Sequence, residues 1–186
     1  MGRSSRAQAD ENRARIVQVA SDLFRARGVE AVGIADVMKA AGLTQGGFYR
    51  HFPSKDALAA EACALAFANA AESWRSVARE AAREGRCAAA AIAEHYASAR
   101  PPNRTCPMIA FAPDAARRNS DDPVQRSFRE GVRTLFETFA EGAGGDGTAE
   151  AEERLQGLFA AMVGSTLLAR ATQWPAWAER DAAPTT

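Results

Sequence analysis

The sequence predicts an all-α protein, on three observations. It is rich in Ala, with many Leu, Arg and Glu residues and few β-branched residues outside short clusters, so helix is favoured by propensity almost everywhere. Apolar residues recur at helical spacing, as at Ile16, Val19, Ala20, Leu23 and Phe24. Gly and Pro then punctuate these stretches at stop positions: Gly28, Gly42, Pro53, Gly85 and Pro101-Pro102. At 186 residues the chain can bury a core without a disulfide or a metal.

The elements follow in order. Residues 1–9 are polar and basic without periodicity and read as a flexible arm. A first helix is expected over 10–27, with Asp10 and Glu11 where the helix dipole favours acid and Gly28 as its stop. A short second helix fits 34–41, with Gly33 as a modest N-cap and Asp36 at N3; it ends at Gly42, and Leu43 fills the turn. Thr44 is expected to cap a third helix over 45–51, which Phe52-Pro53 closes, and Ser54 to cap a fourth over 55–84. Two short helices joined by a Gly-containing turn behind a longer supporting helix form a helix-turn-helix. Further helices are expected over 87–99, 106–119, 122–141 and 149–172, separated by Arg100-Pro101-Pro102-Asn103 and the loop GAGGDG, with a short last helix around Trp177. The expected organisation is an arm (1–9), a three-helix head (10–54) and a helical body (55–186).

Charge is distributed unevenly although the net charge is zero: residues 1–55 carry nine Lys/Arg against five Asp/Glu, leaving fourteen against eighteen beyond. The first third is the part suited to face phosphate. The basic start MGRSSR leads into no apolar run, so it is not read as a signal peptide, and the longest apolar stretch, 157–169, is too short and interrupted to span a membrane. A cytoplasmic protein without a membrane partner is expected. Cys63, Cys87 and Cys106 form no CxxC pair, so neither a disulfide, a zinc site nor any cofactor is expected.

The third helix carries the chemistry. Gly46-Gly47 would let its backbone approach base edges with no side chain in the way. Gln45 and Arg50 are the base-reading side chains there, suited to adenine and guanine. Thr44, Tyr49, His51 and Lys55 supply donors for flanking phosphates, Lys55 beside a helix N-terminus. Phe48 and Phe52 lie on the face that must pack inward.

The segment IADVMKAAGLTQGGFYRHFPSKD (34–56) closely resembles the DNA-binding head of the TetR family of bacterial regulators, a likeness covering roughly Asn12 to Leu58. Gly33, where that family usually has Ser or Thr, and Met38, where it usually has Ala, are departures. The resemblance implies double-stranded DNA as partner, with contacts at Thr44, Gln45, Gly46, Gly47, Tyr49, Arg50, His51 and Lys55. It implies a homodimer on a palindromic operator, repressing until an inducer releases it. The last two long helices would form the dimer face, with Leu155, Leu158, Phe159, Met162, Val163, Thr166 and Leu167 as its residues. A small-molecule pocket in the body is implied too, with Phe67, Trp74, Tyr96, Met108, Phe111 and Phe128 as candidates that are equally ordinary core residues.

In Asn103-Arg104-Thr105-Cys106-Pro107-Met108, Pro107 should lie in the first turn of a helix, with Cys106 at its cap or first position. The helix end and Arg104 both favour thiolate there. The stretch is similar to the subset of that family that includes the N-ethylmaleimide reductase repressor, whose members sense electrophiles through a cysteine. A small buried apolar residue is the competing reading of Cys106, and Cys63 and Cys87 read as structural. Two other functional classes stay open. A helical enzyme with a cysteine nucleophile would need a base, and His95 has no spacing that orients it toward Cys106. An architectural DNA protein without a ligand would not need so long a body.

Overall fold

The computed structural model describes residues 2–98, 101–144 and 148–173, and among them every regular element is helical. In chain order these are α1 (Gly2–Arg27), α2 (Ile34–Ala40), a 3-10 helix η1 (Gln45–Arg50), α3 (Lys55–Arg83), α4 (Ala88–Ala97), a 3-10 turn η2 (Pro102–Arg104), α5 (Pro107–Ala116), α6 (Pro123–Ala143) and α7 (Ala149–Thr172). The expected last helix around Trp177 lies outside the described residues. No helix among the described residues is long and apolar enough to cross a membrane.

Most boundaries fall where the stop and cap residues put them. Ser54 Oγ accepts the Ala57 N–H at the start of α3, and Thr148 Oγ1 accepts the Ala151 N–H at the start of α7. Gly28 and Gly85 follow the ends of α1 and α3. The amino terminus differs from expectation. Residues 2–9, read as a flexible arm, continue α1. No stop residue separates them from the periodic stretch, and Gln8 reaches Glu11 and Asn12 along the helix at 3.3 Å.

Two compact units result: Met1–Ala68 with Pro101–Gly131, and Asn69–Arg100 with Val132–Thr186. In the first, α1 presents Ile16, Ala20 and Phe24 at i, i+4 spacing, and with Val29, Val32, Val37, Met38, Leu58, Met108 and Phe111 they form a buried core. Both η2 and α5 pack on α1. This unit therefore takes in more than the head expected over 10–54. In the second unit the core is aromatic. Trp74 meets Tyr96 edge to face at 5.8 Å, and Phe159 collects Trp74, Phe136 and Phe139 at 6.2, 5.5 and 5.8 Å. Here α4 packs on α7.

One close approach in the first unit depends on a missing side chain. The Phe67 ring of α3 lies directly on Gly131 of α6, so a Cβ at that position would overlap the ring. Phe128, one turn earlier on α6, meets Phe67 edge-on at 5.6 Å. Gly131→Ala should therefore destabilise the protein by about 1–3 kcal/mol, as overpacking does, although it improves helix propensity. Urea unfolding checks this, and in a Phe67→Leu background the added methyl should cost less. Equal costs in both backgrounds would place the strain elsewhere.

Candidate nucleic-acid interface

The helix-turn-helix is built from weak local elements held by strong packing. Gly33 sits at the N-cap of α2 in extended conformation, and Asp36 reaches back so that its Oδ2 accepts the Gly33 N–H at 2.9 Å. Glycine offers no side chain to return the bond, so only half of a capping box forms. The turn closes through Gly42 at φ +72°, a left-handed conformation natural to glycine, with the Leu43 N–H donating to the Met38 carbonyl at 2.8 Å.

The reading element itself departs from expectation in two ways. It is a 3-10 helix over Gln45–Arg50, not an α-helix over 45–51, and the Thr44 side chain makes no capping hydrogen bond. Two adjacent glycines weaken α-helix at its start, and Pro53 prevents continuation at its end, so one tight turn is what the segment sustains. Side-chain packing compensates. Phe48 and Phe52 are fully buried and stacked at 5.8 Å, as the sequence predicts, and Met38 lies beneath Gly47.

This burial turns the remaining residues outward together. Thr44, Gln45, Gly46, Tyr49 and Arg50 are exposed, Tyr49 at 71% as the most exposed large hydrophobic side chain among the described residues. Gly47, His51 and Lys55 are half-buried, and Lys55 Nζ lies 3.5 Å from the Glu30 carbonyl oxygen. All eight expected residues lie within the sequence stretch 44–55, five of them exposed and three half-buried. One contact beside that stretch is not marked by the sequence. Arg13, on α1, lies over the Phe52 ring at 4.6 Å and donates to Glu61 Oε1 at 2.5 Å.

The same unit ties α5 to the head at both of its ends. At the amino end, Arg25 Nη1 donates to the Thr105 carbonyl at 3.5 Å. At the carboxyl end, the buried Asp114 accepts the Val29 N–H at 3.3 Å on one oxygen and Arg117 at 2.9 Å on the other. Arg118, only 15% exposed, reaches Asp56 at 2.7 Å, Asp122 at 2.9 Å and Glu30 at 3.9 Å. Burial opposes ionisation of Asp122, but the Arg118 hydrogen bond and the Val124 amide outweigh it and hold its carboxyl below the ordinary carboxylate range. Asp114 and Arg118 each have one partner at helical spacing, Arg117 and Asp122, but the partners that tie them to the head, Val29 and Asp56, lie 85 and 62 residues away and leave no local signal.

Of the three cysteines, Cys87 is the one whose setting differs from the sequence reading. Cys63 is buried, and burial, with the Asp114 charge beside it, pushes its thiol up to about 12, leaving almost no thiolate near neutral pH. Cys87, read as structural, is exposed at the N-cap of α4. Cys106 occupies the N-cap of α5 with Pro107 as first helical residue, as expected, and is half-buried; Arg104, two residues before it, is exposed. His95 meets Ser73 Oγ at 2.9 Å.

Of the expected pocket residues, Phe67, Met108, Phe111 and Phe128 belong to the first unit and Trp74 and Tyr96 to the second. Phe67 pairs with Phe128, and Trp74 with Tyr96. The expected dimer residues divide as well. Leu155, Phe159, Met162 and Thr166 are buried within their own protomer and Val163 is half-buried, whereas Leu158 and Leu167 are exposed together with Leu168. The first four are core residues of the second unit. Because α7 is apolar on nearly all sides, spacing alone does not separate its inner face from its outer one.

Comparison with known proteins places this geometry. Residues 16–62 match the model of the bacterial regulatory proteins of the tetR family. The chain is 38% identical over 72 residues to the HTH-type transcriptional regulator AcrR of Shigella flexneri, covering 39% of this chain and 34% of that protein. It is 40% identical over 55 residues to the HTH-type transcriptional regulator TtgR of Pseudomonas putida, covering 30% and 26%. The match thus spans about a third or less of these curated relatives' length. Likeness to solved structures extends over nearly the whole chain. A TetR transcriptional regulator from Chloroflexus aurantiacus is 30% identical with a TM-score of 0.62, covering 94% of this chain and 92% of that one. The reduced form of E. coli NemR shares the fold at 16% identity and a TM-score of 0.74, covering 92% and 94%. The chain belongs to the TetR family of bacterial transcriptional regulators. Its relatives are regulators and not enzymes.

Proposed function

We propose that this regulator is a homodimeric repressor that reads a palindromic operator through the 44–55 segment and is released by an inducer. The observation that carries the reading is the outward set Thr44, Gln45, Tyr49 and Arg50, fixed over the buried Phe48 and Phe52. In this role Gln45 and Arg50 read base edges, while Thr44, Tyr49, His51 and Lys55 hold the backbone and the two glycines allow close approach. Residues 10–54 form the DNA-binding domain, and the helices from 55 onward serve ligand response and dimerisation.

A palindrome calls for a two-fold protein. The exposed face of α7, where Leu158 and Leu168 stand beside Gly157, Ala161 and Gly164, with Leu167 at its far edge, supplies an apolar surface with little side-chain bulk in the way of a second copy. This proposal keeps Leu158 and Leu167 of the residues expected from the sequence, adds Leu168, and leaves Leu155, Phe159, Met162 and Thr166 to the core.

Electrophile sensing at Cys106 is the more specific form of the inducer reading. Its support is position: the sulfur sits half-exposed at a helix N-cap, and the next residue back, Thr105, gives its carbonyl to Arg25 of α1. Addition at that sulfur would strain the start of α5 where α5 meets the helix that supports the head, and a few kcal/mol is enough to shift a population. Phe67, Met108, Phe111 and Phe128, which share the first unit, remain the candidates for contact with a non-covalent inducer.

On this reading, Tyr49→Ala and Lys55→Ala should weaken binding to all duplexes alike, whereas Gln45→Ala and Arg50→Ala should each cost about 1–3 kcal/mol on the operator and relax base preference. Fluorescence anisotropy on operator and scrambled duplexes checks this, and equal wild-type affinity for both would sink the reading. Leu158→Glu with Leu168→Glu should yield a folded monomer by sedimentation, since it puts like charges across the two-fold axis; an intact dimer would move the interface elsewhere. N-ethylmaleimide should release wild type and the Cys87→Ser and Cys63→Ser variants from DNA but leave Cys106→Ser bound. Release of Cys106→Ser would exclude that thiol.

A further inference from the structure

Arg13 does not belong to the eight residues assigned to DNA, yet from α1 it touches both the loop that closes the reading turn and α3. From α1 its guanidinium covers the Phe52 ring, 4.6 Å from the centroid, and one of its nitrogens donates to Glu61 on the second turn of α3. Phe52 stacks on Phe48 at 5.8 Å, and Phe48 meets Tyr49 edge-on at 5.2 Å. The sequence of contacts therefore runs from Glu61 through Arg13, Phe52 and Phe48 to the exposed Tyr49.

This path matters because η1 has little to hold itself. It is a single stretch of 3-10 helix with no side-chain cap, and its placement rests on two buried rings. One of those rings is covered by a cation whose direction is fixed by a carboxylate on a different helix. An ion pair whose side chains are 42% and 40% exposed stabilises a fold very little. A guanidinium, however, is planar and forked, so it can lie on a ring and bond a carboxylate at once; an ammonium cannot do both in the same geometry.

We propose that Arg13, oriented by Glu61, is a positioning residue for DNA reading: it fixes the Phe52–Phe48 stack and through it the angle at which Gln45, Tyr49 and Arg50 meet the groove. The inference rests on the reading of 44–55 as the DNA-contacting segment. The rival role for a partly exposed arginine on a basic head is a direct phosphate contact, and the two roles differ in measurable ways. Loss of a phosphate contact lowers the slope of log affinity against log salt by about 0.9. Loss of a positioning residue weakens binding with the slope unchanged.

Glu61 separates them further. Taking an acid off a DNA-binding surface ordinarily strengthens binding, whereas the positioning role requires Glu61→Gln to weaken it. The experiment uses the full-length protein, an operator obtained by selection from random duplexes, and anisotropy titrations across a salt series. The variants are Arg13→Met, Arg13→Lys, Glu61→Gln and the double Arg13→Met/Glu61→Gln. Arg13→Met should bind the operator about tenfold more weakly with the wild-type salt slope, and Glu61→Gln should weaken binding by a smaller factor. Arg13→Lys should not restore wild-type affinity, and the double should be no weaker than Arg13→Met alone. Tighter or unchanged binding by Glu61→Gln, or a slope reduced by about one in Arg13→Met, overturns the proposal.

Hydrogen exchange gives a readout independent of DNA. The His51 and Phe52 amides both donate to the Phe48 carbonyl, and their protection should fall in Arg13→Met and Glu61→Gln while α1 amides stay protected. If wild type bound no DNA, the functional reading would fail, and unchanged protection of these two amides would separately defeat the positioning role. Should Arg13→Met not fold, Arg13→Lys and Glu61→Gln carry the same comparison.

Discussion

The reading face depends on one packing event, the burial of Phe48 and Phe52 beneath it. Every other local device in the helix-turn-helix is partial. The second helix has half of a capping box, the third has no side-chain cap, and two glycines sit where an α-helix would need propensity. Those weaknesses have a use. In the proposed role, glycines and a short 3-10 turn keep side-chain bulk away from the surface that approaches a groove, at the cost of local rigidity. Two buried aromatic side chains restore the rigidity from below, each worth about 1.5–3 kcal/mol against about 1 kcal/mol for a missing cap.

A second constraint ties that head to the rest of its unit. Asp114 is a carboxylate placed in the core, where an unpartnered charge would be strongly unfavourable, and its partners are the backbone of Val29 and the guanidinium of Arg117. Arg118 gathers three carboxylates at the junction of α1–α2, α3 and α6. Arg25 on the Thr105 carbonyl joins the amino end of α5 to α1, and the Asp114 and Arg118 bonds join its carboxyl end to the turn that leads into α2. The segment with Cys106 thus shares a compact unit with the head. In the proposed mechanism a change there acts on α1 within one unit and needs no long relay.

The head is legible in the sequence because its signals are local. Gly42, Gly46-Gly47, Pro53 and Ser54 fall within a few residues of the structure they determine, and Phe48 and Phe52 alternate with polar neighbours in a way that assigns them to the core. The features that stay concealed are of two kinds. The long-range partners of Arg13, Asp114 and Arg118 lie 48 to 85 residues away in the chain, and nothing in the local sequence marks those contacts. The outer face of α7 is hidden for the opposite reason: apolar residues surround the helix, so Leu155, Phe159 and Met162 look as suitable for an interface as Leu158 and Leu168 until tertiary packing claims them. Residues 2–9 read as an arm because polarity alone does not separate disorder from a solvated helix, and residues such as Arg, Ala and Gln propagate a helix already begun.

The central claim is that two copies of this chain read one symmetric site through residues 44–55. Selection of bound sequences from a random duplex library, followed by sedimentation of the complex on the selected duplex, tests it most directly. The expected result is an inverted repeat with its half-sites on successive major grooves, bound by an even number of protomers and lost when either half-site is scrambled. Enrichment of no sequence over random DNA, or stable binding of a single protomer to one half-site, would contradict it.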